Sequence, residues 1–462
     1  MLVVISDLHF EEEREDLVSS PGCTSPVTFP RNIPAAAFAR VFAHLAELAR
    51  RADAKELHLV LAGDIFDLHR TALWFSPALG GLRPYVSCSD VAASPALEKA
   101  VLFILGRIAE EKPVAATLEL IKAFTQGRYR TDPDDPKSEA KVEPKVHVHY
   151  LPGNHDRLAN ATPGIRNAVR ELLGLPPSPD AFAHTFTSED PRVLVRHGHE
   201  YDRFNFSADY EDVSPLPAAI PESQYDTPAF GDFVTVEVAA RLPYQFRQVH
   251  GPGKICSVPA LNALYRRLLA FDDVRPQSSL LDYLLSETDT QVSKEDLWKF
   301  LRPVAKTVLE DVADAPFLHA WLRRLGKQGV SLALKTGAWR LGLDLLPRFG
   351  TWFAKAGASQ PPQVFASREP ALQSGKVRFV VAGHTHDAQI GFVNGGAAFD
   401  RFYVNTGTWR RRLLAGGQPL RFGNVKSLTY VTVYASSEDR STASSLKTES
   451  FDFLSGYTER WP

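Results

Sequence analysis

The 462-residue chain exceeds what one hydrophobic core usually supports, so one large domain with a substantial insertion, or two domains, is expected. Hydrophobic residues at 44% and charged residues at 23% are globular values that exclude a mainly disordered chain. A formal net charge of -2 excludes a global basic field that would draw in nucleic acid or an anionic membrane.

Cys23, Cys88 and Cys256 are odd in number and widely scattered, which fits neither a disulfide framework nor a CxxC metal site, so reduced thiols are expected. Met1 leads straight into the apolar run LVVI and then to Asp7 and His9, with no basic n-region. No run of about 18 apolar residues occurs, so a membrane span is not expected and the cytoplasm is the expected compartment.

In chain order, Leu2 to Ile5 and Leu57 to Ala62 are continuous apolar runs of the kind found in buried parallel strands. Between them Phe38, Phe42, Leu45 and Leu48 follow helical spacing, with Pro34 near the helix start and Asn32 as its cap, which makes a βαβ unit. A helical stretch from about Ala96 to Phe124 is expected to be interrupted by Pro113. Thr131 to Lys145 reads as a solvated loop, followed by strands from Val146 to Tyr150 and from Val193 to Arg196. From about Phe204 to Val377 helical periodicity takes over, for example at Phe233, Val236 and Ala240. Strands resume at Arg378 to Ala382, Ala388 to Val393, Phe402 to Asn405 and Ser427 to Tyr434.

Five short polar strings carry the chemistry: Asp7-Leu8-His9, Gly63-Asp64-Ile65-Phe66-Asp67, Gly153-Asn154-His155-Asp156, His197-Gly198-His199 and Gly383-His384-Thr385-His386. Four directly follow an apolar run. Ligand groups of open α/β sheets gather beyond the carboxyl ends of strands, so residues far apart in sequence are expected to converge. Carboxylate and amide oxygens mixed with imidazoles suit a transition-metal pair, and a two-residue step such as His384 to His386 puts both side chains on one side of an extended backbone.

Together, in this order, the strings resemble the calcineurin-like metallophosphoesterases, whose pattern runs DxH, GDxxD, GNH[DE], a later His-Gly pair and GHxH. The resemblance implies an α/β fold, a four-layer α/β/β/α sandwich. Its catalytic domain would be discontinuous, over 1–204 and 376–462, around a mainly helical insert or cap over 205–375. It assigns Asp7, His9 and His386 to one divalent ion, Asn154, His197 and His384 to a second, and Asp64 to a bridge between them. Manganese is the expected metal, with iron or zinc as alternatives. His155 and Asp156 match the catalytic pair, and His199 and Arg157 are expected as substrate contacts.

The implied reaction is hydrolysis of a phosphoester or phosphoanhydride by a metal-bridging hydroxide. Paired ions lower the pKa of bound water to about 7, and the residual positive charge of the site suits an anionic phosphoryl group. Among bacterial small-molecule enzymes of the family, the strings look most like UDP-diacylglucosamine pyrophosphatases, which implies a phosphorylated small-molecule or nucleotide-linked substrate. A nuclease is the rival enzyme reading and a non-catalytic binding scaffold the rival outside enzymes.

Other polar residues have plainer readings. His197 and His199 compete for one ligand place, which the family pattern gives to His197. Asp67 is expected to bond backbone amides. His44, His58, His69, His147 and His149 read as ordinary structural residues, and Asn405-Thr406-Gly407 as a tight turn near the metals. The stretch from Trp321 to Lys355 interleaves Trp321, Trp339 and Trp352 with Arg323, Arg324, Lys327 and further cations. It reads as a cap packing its apolar face, with peripheral membrane or lipid contact as the alternative.

Overall fold

Apolar runs too short to be helices dominate where the chain must be buried on both faces. All four residues of Leu2–Ile5 and of Val193–Arg196 are buried, as are the last four of Glu56–Ala62. The computed structural model describes residues 1–275, 279–285, 293–324, 360–395, 400–416, 421–438 and 449–456.

The strands in chain order are β1 (Leu2–Ile5), β2 (Glu56–Ala62), β3 (Arg128–Arg130), β4 (Glu139–Lys141), β5 (Lys145–Leu151), β6 (Thr185–Ser188), β7 (Val193–Arg196) and β8 (Val274–Arg275). They continue with β9 (Phe379–Ala382), β10 (Gln389–Gly395), β11 (Asp400–Asn405), β12 (Arg412–Ala415), β13 (Phe422–Val425), β14 (Leu428–Tyr434) and β15 (Ser450–Gly456). One five-stranded sheet has the order β15-β14-β1-β2-β5, with β1, β2 and β5 parallel. The other has the order β10-β11-β9-β7-β6, with β9 parallel to both β7 and β11. The protein is therefore mixed α/β.

Alternation along these strands sends side chains to opposite faces. Val4, Val60 and Leu151 of the first sheet share one apolar cluster with Val195, Val381 and Val404 of the second. The other face of the first sheet packs against helices through Leu59, Phe38, Leu45, Ile104 and Phe124. Val380 and Tyr403 of the second sheet pack with Tyr201, Tyr225 and Phe365.

Helix Ala35–Arg51 makes the β1–β2 crossover and starts after Pro34. Asn32 is not its cap: the Asn32 amide instead accepts from Glu11 N and donates to Glu11 O, both at 2.9 Å. The expected stretch from Ala96 to Phe124 is two helices, Pro95–Ala109 and Lys112–Thr125. Pro113 sits in the first turn of the second, where its missing N–H costs nothing.

The helical region has its own core, with Phe233, Phe246, Leu264, Leu268, Leu297 and Val304 fully or nearly fully buried. Phe230–Val234 passes through a π-helical turn, Thr235–Ala240, into Arg241–His250. This core also takes in Val18 and Val27, so its spatial boundary differs from 205–375. Cys23 and Cys256 are joined by a disulfide with Cα atoms 5.2 Å apart, which corrects the reading of three reduced thiols. Their 233-residue separation hides a pairing that only the fold creates; Cys88 is free and half-buried.

Strand β8 leaves the helical region and pairs in parallel with β12. Trp321 stacks on Phe230 at 3.8 Å between ring centroids, as part of the packed cap. The remainder of the basic aromatic stretch, over 325–355, lies outside the described residues. Among the described residues no helix is long and apolar enough to cross a membrane.

Candidate metal centre

Each polar string begins where a strand's ladder ends. Asp7 and His9 follow β1, Asp64 follows β2, Asn154 and His155 follow β5, His197 follows β7, and His384 and His386 follow β9. The loops are tied to one another: Asp7 N donates to Gly63 O at 3.0 Å, His9 N to Asp64 O at 2.9 Å and Gly383 N to His197 O at 2.8 Å.

Six non-glycine residues among those described have a left-handed backbone, and five of them are Asp7, His9, Asp64, His384 and His386, with φ between 45° and 70°. Such conformations cost free energy and persist where surrounding structure imposes them, typically at functional sites. Two glycines are required by close approach. A Cβ on Gly153 would overlap the Asp64 carboxylate, and one on Gly383 would overlap the Asp7 carboxylate and Ser6.

All seven expected ligands come together. Asp7 Oδ1 lies 3.3 Å from His386 Nε2 and 3.9 Å from His9 Nε2, and the two Nε2 atoms are 3.0 Å apart. Asn154 Oδ1 is 3.2 Å from His197 Nε2 and 3.1 Å from His384 Nδ1. Asp64 Oδ2 stands between the two groups, 3.1 Å from His197 Nε2 and 3.8 Å from His9 Nε2. Donors bonded to one ion at about 2.0–2.2 Å are neighbours at roughly 3 Å, a spacing that the five contacts of 3.0–3.3 Å match.

Second partners fix the tautomers that ligation needs. His197 Nδ1 donates to Ala62 O at 2.9 Å and His9 Nδ1 to Asp67 Oδ2 at 3.0 Å, which leaves each Nε2 lone pair facing the centre. His384 Nε2 donates to Asp202 Oδ2 at 3.0 Å and presents Nδ1. His386 differs: Arg275 Nη2 lies 3.3 Å from its Nδ1. Binding an ion through Nε2 would put the hydrogen on Nδ1, so the guanidinium would have to turn from His386.

Burial opposes ionisation of Asp64, but His197, His155 and His9 overcome it and hold the carboxyl well below its ordinary range. Burial also opposes a charged His155, yet Asp67 and Asp64 push it up to about 10. The donor set, with the Nε2 atoms of His9 and His386 facing each other at 3.0 Å, fits divalent ions through carboxylate, amide and imidazole ligands that manganese, iron and zinc all accept.

Three expected site residues are placed otherwise. Asp156 is fully buried, its carboxylate accepting from the amides of Ile65 at 2.9 Å and Gly153 at 2.6 Å, so it shapes two ligand loops instead of joining His155. The carboxylate that meets His155 is Asp67, at 2.9 Å from Nδ1. Arg157 is 6% exposed and donates to Val86 O and Asp226 O, both at 2.8 Å, and it pairs with Asp232 at 3.3 Å. It ties the β5 loop to the helical region and is not among the residues lining the cavity at the centre. His199 is 3% exposed, and burial holds it neutral, down to about 3; its ring packs against Phe206 and Tyr225 while Gly198 faces the cavity. Of the two rings it is His197 that meets Asp64 and Asn154.

Other residues escaped the sequence reading. Asp67 bonds the Arg70 amide at 3.0 Å, as expected, but it also orients His9 and His155, and Arg410 Nη1 lies 3.6 Å from its Oδ2. Its place at the end of GDIFD was the available signal. Asp202, Arg275 and Arg410 had none, because their partners are remote in sequence. The Asn405 turn buttresses the centre: Asn405 Nδ2 donates to Gly383 O at 2.6 Å and Thr408 Oγ1 to Asp7 O at 2.9 Å.

A cavity of about 520 Å³ opens on His9, Asp64, Asn154, His155, His384 and His386 and runs into the helical region. From the helical region its lining is largely apolar, with Val238, Leu242, Leu284, Trp298, Leu301 and Val308, and it also includes Asp272 and Arg275, the latter 3.3 Å from His386 Nδ1. No known protein-family profile matches the chain, and no curated protein matches its sequence.

Proposed function

We propose that this chain is a hydrolase of phosphoesters or phosphoanhydrides of the calcineurin-like metallophosphoesterase type, acting on a phosphoryl compound that also carries an apolar group. The observation that carries the reading is the convergence of seven ligand side chains from five strand ends, with neighbouring donor atoms spaced as in paired coordination shells. Its support in the fold is a pair of five-stranded sheets sharing one apolar layer, with helices on their other faces, as in a four-layer α/β/β/α sandwich.

Asp7, His9, His386, Asn154, His197 and His384 would hold two divalent ions, with Asp64 between them. When bound, such ions supply positive charge opposite an anionic phosphoryl group and make a water acidic enough to be a nucleophile near neutral pH. The chain's own residues do the rest. His155 is held at Nδ1 by Asp67, so its Nε2 is aimed to donate a hydrogen bond to a phosphoryl or leaving oxygen. Arg275 brings a second cation from the helical region.

The apolar end of the cavity favours a substrate with a hydrocarbon or similarly apolar moiety, since each buried methylene adds about 0.8 kcal/mol. Purified protein with Mn²⁺ is expected to hydrolyse p-nitrophenyl phosphate or bis-p-nitrophenyl phosphate, and alkyl p-nitrophenyl phosphates better as the alkyl chain lengthens. Equal activity in wild type and Asp64→Asn would sink the metal-dependent reading. Indifference to chain length would remove the apolar substrate alone.

A further inference from the structure

Three imidazoles and a carboxylate stand together at the other end of the first sheet. Glu56 and His58 are two residues apart on β2, and His147 and His149 two apart on β5, so strand alternation puts each pair on one face. The parallel register sets His58 directly beside His147. That face is the one whose later residues, Val60, Ala62 and Leu151, enter the apolar layer between the sheets. At about 3.3 Å per residue, His58 lies roughly 20 Å along the strand from Asp64.

We propose that Glu56, His58 and His147 form a separate site for one divalent transition-metal ion, zinc-like in its ligand chemistry, with His149 as the residue that orients His58. His58 Nε2 is 3.4 Å from Glu56 Oε2, and His147 Nε2 is 3.6 Å from Glu56 Oε1. The edge of a tetrahedron of ligands bonded at 2.0–2.2 Å is about 3.4 Å, so the spacing needs little adjustment to close on an ion. One ligand atom from each of the three residues lies within 4.8 Å of the others.

The tautomers also suit ligation. His58 Nδ1 and His149 Nε2 are 3.1 Å apart and can share one hydrogen; placed on His58 Nδ1, it leaves the Nε2 lone pair for the metal, as outer partners of metal-binding histidines do. His147 Nε2 is buried with no hydrogen-bond partner among the described residues. Phe186 backs the cluster, 4.5 Å from the His149 ring and 6.1 Å from the His58 ring. Stacking accounts for the rings, 4.8 Å apart and 12° from parallel; the approach of both Nε2 atoms to the Glu56 carboxylate, at 3.4 and 3.6 Å, is additional to it.

The test compares full-length wild type with His58→Gln/His147→Gln after loading with Zn²⁺ or Co²⁺ and removal of free ion. Elemental analysis is expected to find one metal equivalent fewer in the variant, and the Co²⁺ form of the variant to lose the visible absorption of a tetrahedral ion. The difference between the two proteins reads this site alone, whereas Asp64→Asn/His197→Ala reads the candidate metal centre, so the two ideas fail separately. Should the variant misfold by circular dichroism, diethylpyrocarbonate labelling of wild type decides instead: Zn²⁺ is expected to protect His58 and His147. Equal metal content in folded proteins, or labelling indifferent to Zn²⁺, overturns the proposal.

Discussion

The strand-end centre and the helical region face the same cavity and are built on opposite principles. The centre is polar, buried and held in left-handed backbone at five of seven ligands, with hydrogen-bonded partners behind nearly every imidazole. The helical wall is built from α-helical turns and one π-helical turn and presents mainly apolar side chains, with Asp272 and Arg275 as its charged members. Chemistry that needs donor atoms within a fraction of an ångström is placed where parallel strands end together; selection that needs only apolar surface is placed on helices, which tolerate change.

If this division is right, substitutions should separate turnover from selectivity. The largest effect is expected for Asp64→Asn, which removes the charge between the two ligand groups. Loss of several kcal/mol of transition-state stabilisation corresponds to about a thousandfold or more in kcat/KM, checked on p-nitrophenyl substrates with metal content measured in parallel. Asp67→Asn leaves the ligands in place but loosens His9 and His155, so a loss of about 10- to 100-fold in metal affinity or activity is expected. An Asp67→Asn protein with wild-type metal binding and rate would mean that the orientation of these rings is dispensable.

Leu301→Gln, on the helical wall, should raise KM for a long-chain alkyl substrate about tenfold while leaving p-nitrophenyl phosphate turnover near wild type. A matching loss on both substrates would break the division of labour. Arg275→Gln sits where the regions meet, and a several-fold fall in kcat/KM on all substrates is expected from loss of one cation.

The last effect is on stability, at the joint, and leaves turnover aside. Burial, then the neighbouring Glu15, Asp16 and Glu111 charges, raise Glu12 from 4.5 to about 7, although an amide bond from Glu15 opposes this. The folded state thus holds a proton that the unfolded state releases between these values, and stability falls as pH rises through that window. Glu12→Gln should raise the unfolding free energy measured by urea titration at pH 8 by up to a few kcal/mol, and leave it unchanged below pH 4.5. An equal gain at both pH values would assign the effect to packing.

What could be read from the sequence follows from the range of each interaction. β1 and β7 have the bounds the apolar runs indicate, and β2 begins one residue earlier, because burial on both faces of a parallel strand leaves a local signature. The short β3, β4, β12 and β13 carry no comparable run and were missed. His197 against His199 was open in sequence, since both flank Gly198; the left-handed turn at Gly198, with φ of 106°, turns one ring to Asp64 and buries the other beside Phe206.

By itself the sequence determined the strand ends that carry polar strings and the seven donors at them, because residue type and strand periodicity are local properties. Only the tertiary structure decided their spacing and tautomers, the exchange of Asp156 for Asp67 beside His155, the Cys23–Cys256 bond and the apolar cavity. Each of those depends on groups tens to hundreds of residues apart, whose meeting is fixed by how sheets and helices pack.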